Sequence, residues 1–154
     1  VFPRHCKEEK FLRLVNNKEF TPLESYEHVD TSPSSAMRLT ANGGYMEINN
    51  SWYAPHYVHR YFINYNVFLN AIFVNPEIPS WVRFAPGANY VVPRANILRY
   101  EKKFYQKLNS FIDYDASPQE CAGRNSMPLE CFFIERALYT IWMGNFKAKE
   151  EIYK

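Results

Sequence analysis

Four stretches of this chain repeat apolar residues at helical spacing. Residues 7–20, KEEKFLRLVNNKEF, supply Phe11, Leu12, Leu14 and Val15 to one side and Lys and Glu to the other, and Pro22 ends that helix. In residues 55–70, Val58, Phe62, Tyr65 and Leu69 fall at steps of four, three and four, one face of a helix, with Pro55 suited to its first turn. From Pro93 to Ile112, Ile97, Phe104, Leu108 and Phe111 form an apolar stripe with Tyr100 in the gap. Arg99, Lys102, Lys103 and Lys107 form the opposite side. Glu130 to Met143 is apolar on nearly every face and ends at Gly144-Asn145.

The period changes between the second and third of these. After the double-proline break NPEIPS at 75–80, Trp81-Val82-Arg83-Phe84 and Tyr90-Val91-Val92 are β-branched and aromatic, with Ala85-Pro86-Gly87-Ala88-Asn89 between them. This reads as strand, turn, strand. Residues 21–51 carry loop and turn signals, Thr31–Ser35 and Asn42-Gly43-Gly44, and residues 113–128 form a polar loop. The expectation is one domain over 1–154 of α/β or α+β class. It has a small mixed sheet near Trp81–Val92 and helices at 7–18, 55–70, 94–112 and 130–143. Arg83 to Phe146 is its best-defined part.

Composition narrows the function classes. Of 154 residues, 18 are Lys or Arg and 16 Asp or Glu, a formal charge of +2 that lacks the basic excess of a nucleic-acid binder. The 12 Tyr, 12 Phe and 3 Trp make 18% aromatics, rings that serve packing, partner surfaces and sugar stacking alike. Cys6, Cys121 and Cys131 are odd in number and widely spaced, which fits neither a disulfide framework nor a zinc site, although a Cys121–Cys131 pair stays open in an oxidising compartment. No run approaches the ~18 apolar residues of a membrane span, and residues 1–20, charged throughout, show no signal-peptide pattern. Asn49-Asn50-Ser51 fits a glycosylation acceptor, a triplet that is frequent by chance.

Several groupings could carry chemistry. Glu135 and Arg136 sit within CFFIERALYTIW, where nearly everything else is apolar. Buried charges need partners, so the pair is either a structural ion pair or a cleft-facing general base with its neighbour. The Pro86–Asn89 turn is either a plain tight turn or a place where a ligand approaches backbone N–H groups. His56 and His59 share a helix face and could hold a metal with a third ligand such as Glu47 or His28. Asp113-Tyr114-Asp115 has the carboxylate spacing that holds Mg²⁺ or Mn²⁺ in nucleotide-sugar enzymes, but lies in a loop after a helix. The basic side Arg99, Lys102, Lys103 and Lys107 is a solvated face or a site for an anionic partner. His5-Cys6 is a weak nucleophile pair with no third member.

A family pattern emerges from the later residues. Phe84-Ala85-Pro86-Gly87-Ala88-Asn89-Tyr90-Val91-Val92-Pro93-Arg94-Ala95-Asn96-Ile97-Leu98, then Phe104-Tyr105 and Leu108, then Ile134-Glu135-Arg136 through Trp142 and Gly144, resembles the end of the domain-of-unknown-function family numbered 3431. Phe2-Pro3-x-His5 and Phe20-Thr21-Pro22-Leu23 resemble earlier stretches more loosely. The family is similar to nucleotide-sugar glycosyltransferases of the single-Rossmann-like type. The resemblance therefore implies a partial glycosyltransferase-A-like domain that moves a sugar from a nucleotide sugar to a carbohydrate or other hydroxyl acceptor, with Mn²⁺ or Mg²⁺ as the accompanying cation. It implies Gly87, Ala88 and Asn89 on the acceptor side, Glu135 as base, and Arg136 as its orienter or a phosphate contact. The family's nucleotide-binding strand and helix have no counterpart in these residues. The alternative is a non-catalytic structural or protein-interaction domain with an aromatic-rich surface.

Overall fold

The computed structural model describes residues 8–18, 20–23, 37–39, 45–51, 54, 59–114 and 128–151. The chain is an α+β domain. Its elements run α1 (Glu8–Leu14), β1 (Thr21–Pro22), β2 (Met37–Leu39), β3 (Tyr45–Ile48), α2 (Tyr65–Ile72), β4 (Trp81–Phe84), a 3₁₀ turn (Pro86–Ala88), β5 (Tyr90–Val91), α3 (Arg94–Ile97), α4 (Lys102–Ser110) and α5 (Glu130–Met143).

Among the described residues two sheets form, one of β1 with β5 and one in the order β2-β3-β4. All their pairings are antiparallel, so the small sheet expected near Trp81–Val92 is not mixed. The two strands flanking the Gly87 turn pair into different sheets. Gly87 (φ 71°) and Ala88 (φ 56°) are both left-handed, and this swings β5 away from β4 to Thr21 and Pro22. Pro22 is thus a strand residue rather than a helix stop; α1 already ends at Leu14, where Asn17 N donates to the Leu14 carbonyl at 3.0 Å. A proline is tolerated there because a two-stranded ribbon has only edges.

β3 alternates strictly, with Tyr45 and Glu47 inward, and in β4 Val82 and Phe84 do the same. Register sets Tyr45 opposite Phe84 and Glu47 opposite Val82. Period-two geometry therefore places one carboxylate in the middle of an otherwise apolar sheet face. α5 packs against β4 on that face.

The helices depart from simple periodicity in two places. α2 begins at Tyr65, not near 55, because Asn64 is extended and its side chain accepts from Val67 N at 2.9 Å, an N-cap. Residues 59–64 are non-helical, while Pro55 and Val58 lie outside the described residues. The predicted helix over 94–112 is broken at Leu98–Glu101 into α3 and α4. The break lets Tyr100 stack on Phe104 (4.5 Å between centroids) and donate its hydroxyl to the Phe146 carbonyl at 3.0 Å. Tyr105 holds the other side by donating to the Ile97 carbonyl at 2.7 Å. Ile97, expected in the buried stripe, is left 40% exposed.

The core lies among α2, α4 and α5. Tyr65, Phe68, Leu69 and Ile72 supply the α2 face, spaced three, four and seven along the helix. Phe62, Phe68, Phe111 and Phe133 interlock edge-on or stacked, Phe62 to Phe111 at 4.9 Å and Phe68 to Phe133 at 6.0 Å. Packing thus accounts for much of the aromatic content. After α5 the charged tail folds back along the end of α2: Val74 N donates to the Lys147 carbonyl and Lys149 N to that of Ile72. α1 and the short α3 bury no residue, and Leu12 of α1 is 56% exposed.

Candidate functional site

The site is assembled from β3, α5 and the Gly87 turn. Arg136 projects from α5 toward β3, where its Nε meets Glu47 Oε2 at 2.8 Å; both side chains are sealed. Its Nη1 donates to Glu135 Oε2 at 3.0 Å. The guanidinium also lies over the Phe84 ring at 4.6 Å, a cation–π contact in a dry setting. Glu47 is held in turn by Ser51, whose Oγ donates to Oε1 at 2.5 Å. Both Glu47 oxygens are thus engaged, one by Arg136 and one by Ser51. Of the histidines considered as metal ligands, His59 stacks on Phe133 at 4.0 Å, and His56 and His28 lie outside the described residues.

Glu135 faces the other way. Its Oε1 accepts from Gly87 N at 2.6 Å, and its side chain is 24% exposed. It borders a cavity of about 280 Å³ whose other walls include Ala88, Cys131, Phe132 and Leu138. Burial pushes the Glu135 carboxyl above the usual glutamate range; Arg136 and the Gly87 N–H oppose this, and Glu47 adds to it. Cys131 on the same wall is raised too, first by burial and then by Glu130 and Glu135. Each Glu135 oxygen keeps a lone pair beyond the bond it already accepts. The group can therefore take a proton from a hydroxyl placed in the cavity.

The expected site residues divide. Glu135, Arg136, Gly87 and Ala88 are brought together although the turn and the helix are 48 residues apart in the chain. Asn89 is not part of the cavity wall; its carbonyl accepts from Leu23 N at 2.9 Å on the ribbon side. Nor do the turn's amides await a ligand, since Gly87 N serves Glu135 and Ala88 N donates to the Ala85 carbonyl at 3.0 Å. At 2% exposure Arg136 offers no surface to a phosphate, and its Nη1 is turned to Glu135 instead.

The other groupings resolve differently. Asp113 is exposed just beyond α4, and Asp115 lies outside the described residues. Tyr114, between them, donates to Glu130, a buried carboxylate that also accepts from Tyr61 N at 2.9 Å. Asn49 donates its amide to Asn66 Oδ1 (2.7 Å) and the Pro79 carbonyl (2.8 Å), so the nitrogen a glycan would occupy is already engaged in tying β3 to α2. Cys6 and Cys121 lie outside the described residues. Among the described residues, no group of three metal-ligating side chains gathers, and no helix is long and apolar enough to cross a membrane.

Residue patterns alone missed a second recess of about 440 Å³ further along α5, where Arg83 and Tyr139 meet Lys18 and Phe20. Arg83 Nη1 donates to Tyr139 Oη at 3.0 Å, and Phe20 lies edge-on to Tyr139. The available signal was an arginine at an outward position of an apolar strand. Compared with known proteins, the chain matches no family model, no curated protein and no solved structure.

Proposed function

We infer that this chain is the acceptor-side part of a glycosyltransferase-like domain, with Glu135 as the base for an acceptor hydroxyl. One observation carries the reading: the Gly87 N–H to Glu135 hydrogen bond, with the cavity between Ala88 and Glu135 beside it. The resemblance to family 3431 pairs that turn with that helix, and the fold brings them into contact. A carboxyl raised by burial is a better proton acceptor than an ordinary one. In the reaction, the acceptor oxygen forms a bond to the anomeric carbon as its proton passes to Glu135, and the bond to the nucleoside diphosphate breaks, that group leaving with the electron pair. Arg136 orients Glu135, and Glu47 fixes Arg136. Among the described residues no group of acidic, histidine or cysteine side chains gathers that could hold a divalent cation.

A thermal-shift panel of nucleotide sugars with Mn²⁺ tests this. At least one donor raises Tm, and Glu135→Gln keeps that shift while transfer falls on the order of 10²–10⁴-fold. The absence of a shift with every donor rejects the reading. It would favour the second one, a non-catalytic interaction domain, which α1 supports by presenting Leu12 to solvent with nothing of its own buried, followed by exposed Val15 just beyond its end.

A further inference from the structure

A further cavity lies elsewhere, beyond the C-terminal end of α5. It measures about 490 Å³ and runs between α4 and the returning tail. Arg99, Lys103, Lys107, Lys147 and Lys149 line it, against two carboxylates, Glu101 and Glu150. That is a surplus of three positive charges, in a chain whose whole surplus is two. The rest of the molecule is therefore slightly acidic, and the cationic character is concentrated in one concavity.

Local geometry explains the convergence. Lys103 and Lys107 are four apart on α4 and share a face. Lys147 and Lys149 flank Ala148, which bridges Phe73 in an extended pairing, so alternation puts both on one side of the tail. The break before α4 adds Arg99, whose guanidinium donates to the Gly144 carbonyl. Tyr100, Phe104 and Phe146 make an apolar floor, on which charges interact more strongly than in open water. Lys103 pairs with Glu101 at 3.1 Å, an exposed pair of little consequence. Among the described residues, Lys107, Lys147 and Lys149 form no ion pair.

We propose that this groove binds a diphosphate-bearing small molecule, the lysines of α4 and of the tail closing on the phosphates from two sides. Lysine is a point-charge phosphate ligand, and the volume suits a ligand of nucleotide size. The proposal does not rest on the reading of Glu135.

Titration calorimetry of the full chain with inorganic pyrophosphate and with a nucleoside diphosphate tests it. Both should saturate at one site and weaken with salt. The Lys147→Glu/Lys149→Glu variant should lose about tenfold or more in affinity, while Lys18→Glu, outside the groove, changes it less than about twofold. Should the double variant fail to fold, Lys107→Gln on α4 takes its place, with a loss of about threefold or more. The proposal is overturned by no saturable binding of either diphosphate, by equal weakening in the Lys18 control, or by binding only to anionic phospholipid vesicles.

Discussion

Arg136 lies between two carboxylates, so the buried cluster holds one negative charge more than it neutralises, and the excess falls on the more exposed member, Glu135. Removing either partner of the sealed Glu47–Arg136 pair strands the other. Glu47→Gln or Arg136→Met should each destabilise the fold by about 3–5 kcal/mol, with the double variant losing less than the sum, measured by urea denaturation. Glu135 makes a prediction of its own. Its folded carboxyl holds a proton to higher pH than the unfolded chain does. Between those two values the native state binds more protons, so stability falls as pH rises through that window and levels off above it. Glu135→Gln cannot titrate. Its stability difference from wild type should therefore vary with pH in the mildly acid range and be constant beyond; a difference flat throughout would show Glu135 to be unperturbed. The Glu135-Arg136 pair was legible in the sequence because two charges stand out in an apolar helix. Glu47 was not, because its partner is 89 residues away and its own strand is only four residues long.

At the scale of elements, propensity predicted α5 to its boundaries, since a long apolar run followed by glycine has few alternatives. The structure changes the reason for the glycine. Gly144 is extended (φ −68°, ψ 154°), a conformation any residue adopts, but an added Cβ would meet the Thr140 carbonyl and approach Phe146 Cε2 to 2.6 Å. Gly144→Ala should therefore cost about 1–3 kcal/mol through crowding, seen as a lower Tm. An unchanged Tm would mean that Phe146 and the tail can shift. Local periodicity runs one helix over 94–112, but Tyr100 gains more from stacking on Phe104 and reaching the Phe146 carbonyl than from continuing it, a tertiary reward that periodicity does not contain. The start of α2 was misplaced for a local reason: Asn64 caps it. Asn64→Ala should cost about 1 kcal/mol in the same measurement. β3 is hard to read from sequence because the alternation of Tyr45 and Glu47 puts a charge where an apolar residue marks a buried face.

At the scale of the molecule, the site's rigidity depends on whether the two sheets and the helical core unfold together. α5 touches both β4 and α2, and its Phe133 packs against Phe68 and His59 while its neighbour Arg136 reaches β3. One helix therefore carries core packing on one face and the Glu47 link on another, so loss of either should disorganise both. The β1–β5 ribbon joins through Phe20, whose ring sits 5.1 Å from Tyr139 and 4.8 Å from Tyr90. If these contacts make one cooperative unit, far-UV circular dichroism and tryptophan fluorescence will report the same urea midpoint. Phe133→Ala should lower that midpoint by an amount equivalent to about 3–5 kcal/mol, and Phe20→Ala, half-buried at the ribbon, by less, with both probes still moving together. If Phe20→Ala instead splits the probes into two transitions, the ribbon is a separate unit. The Gly87 turn, which lies between β4 and β5, would then be free to move against Glu135, and the hydrogen bond that defines the candidate site would be a hinge rather than a fixed wall.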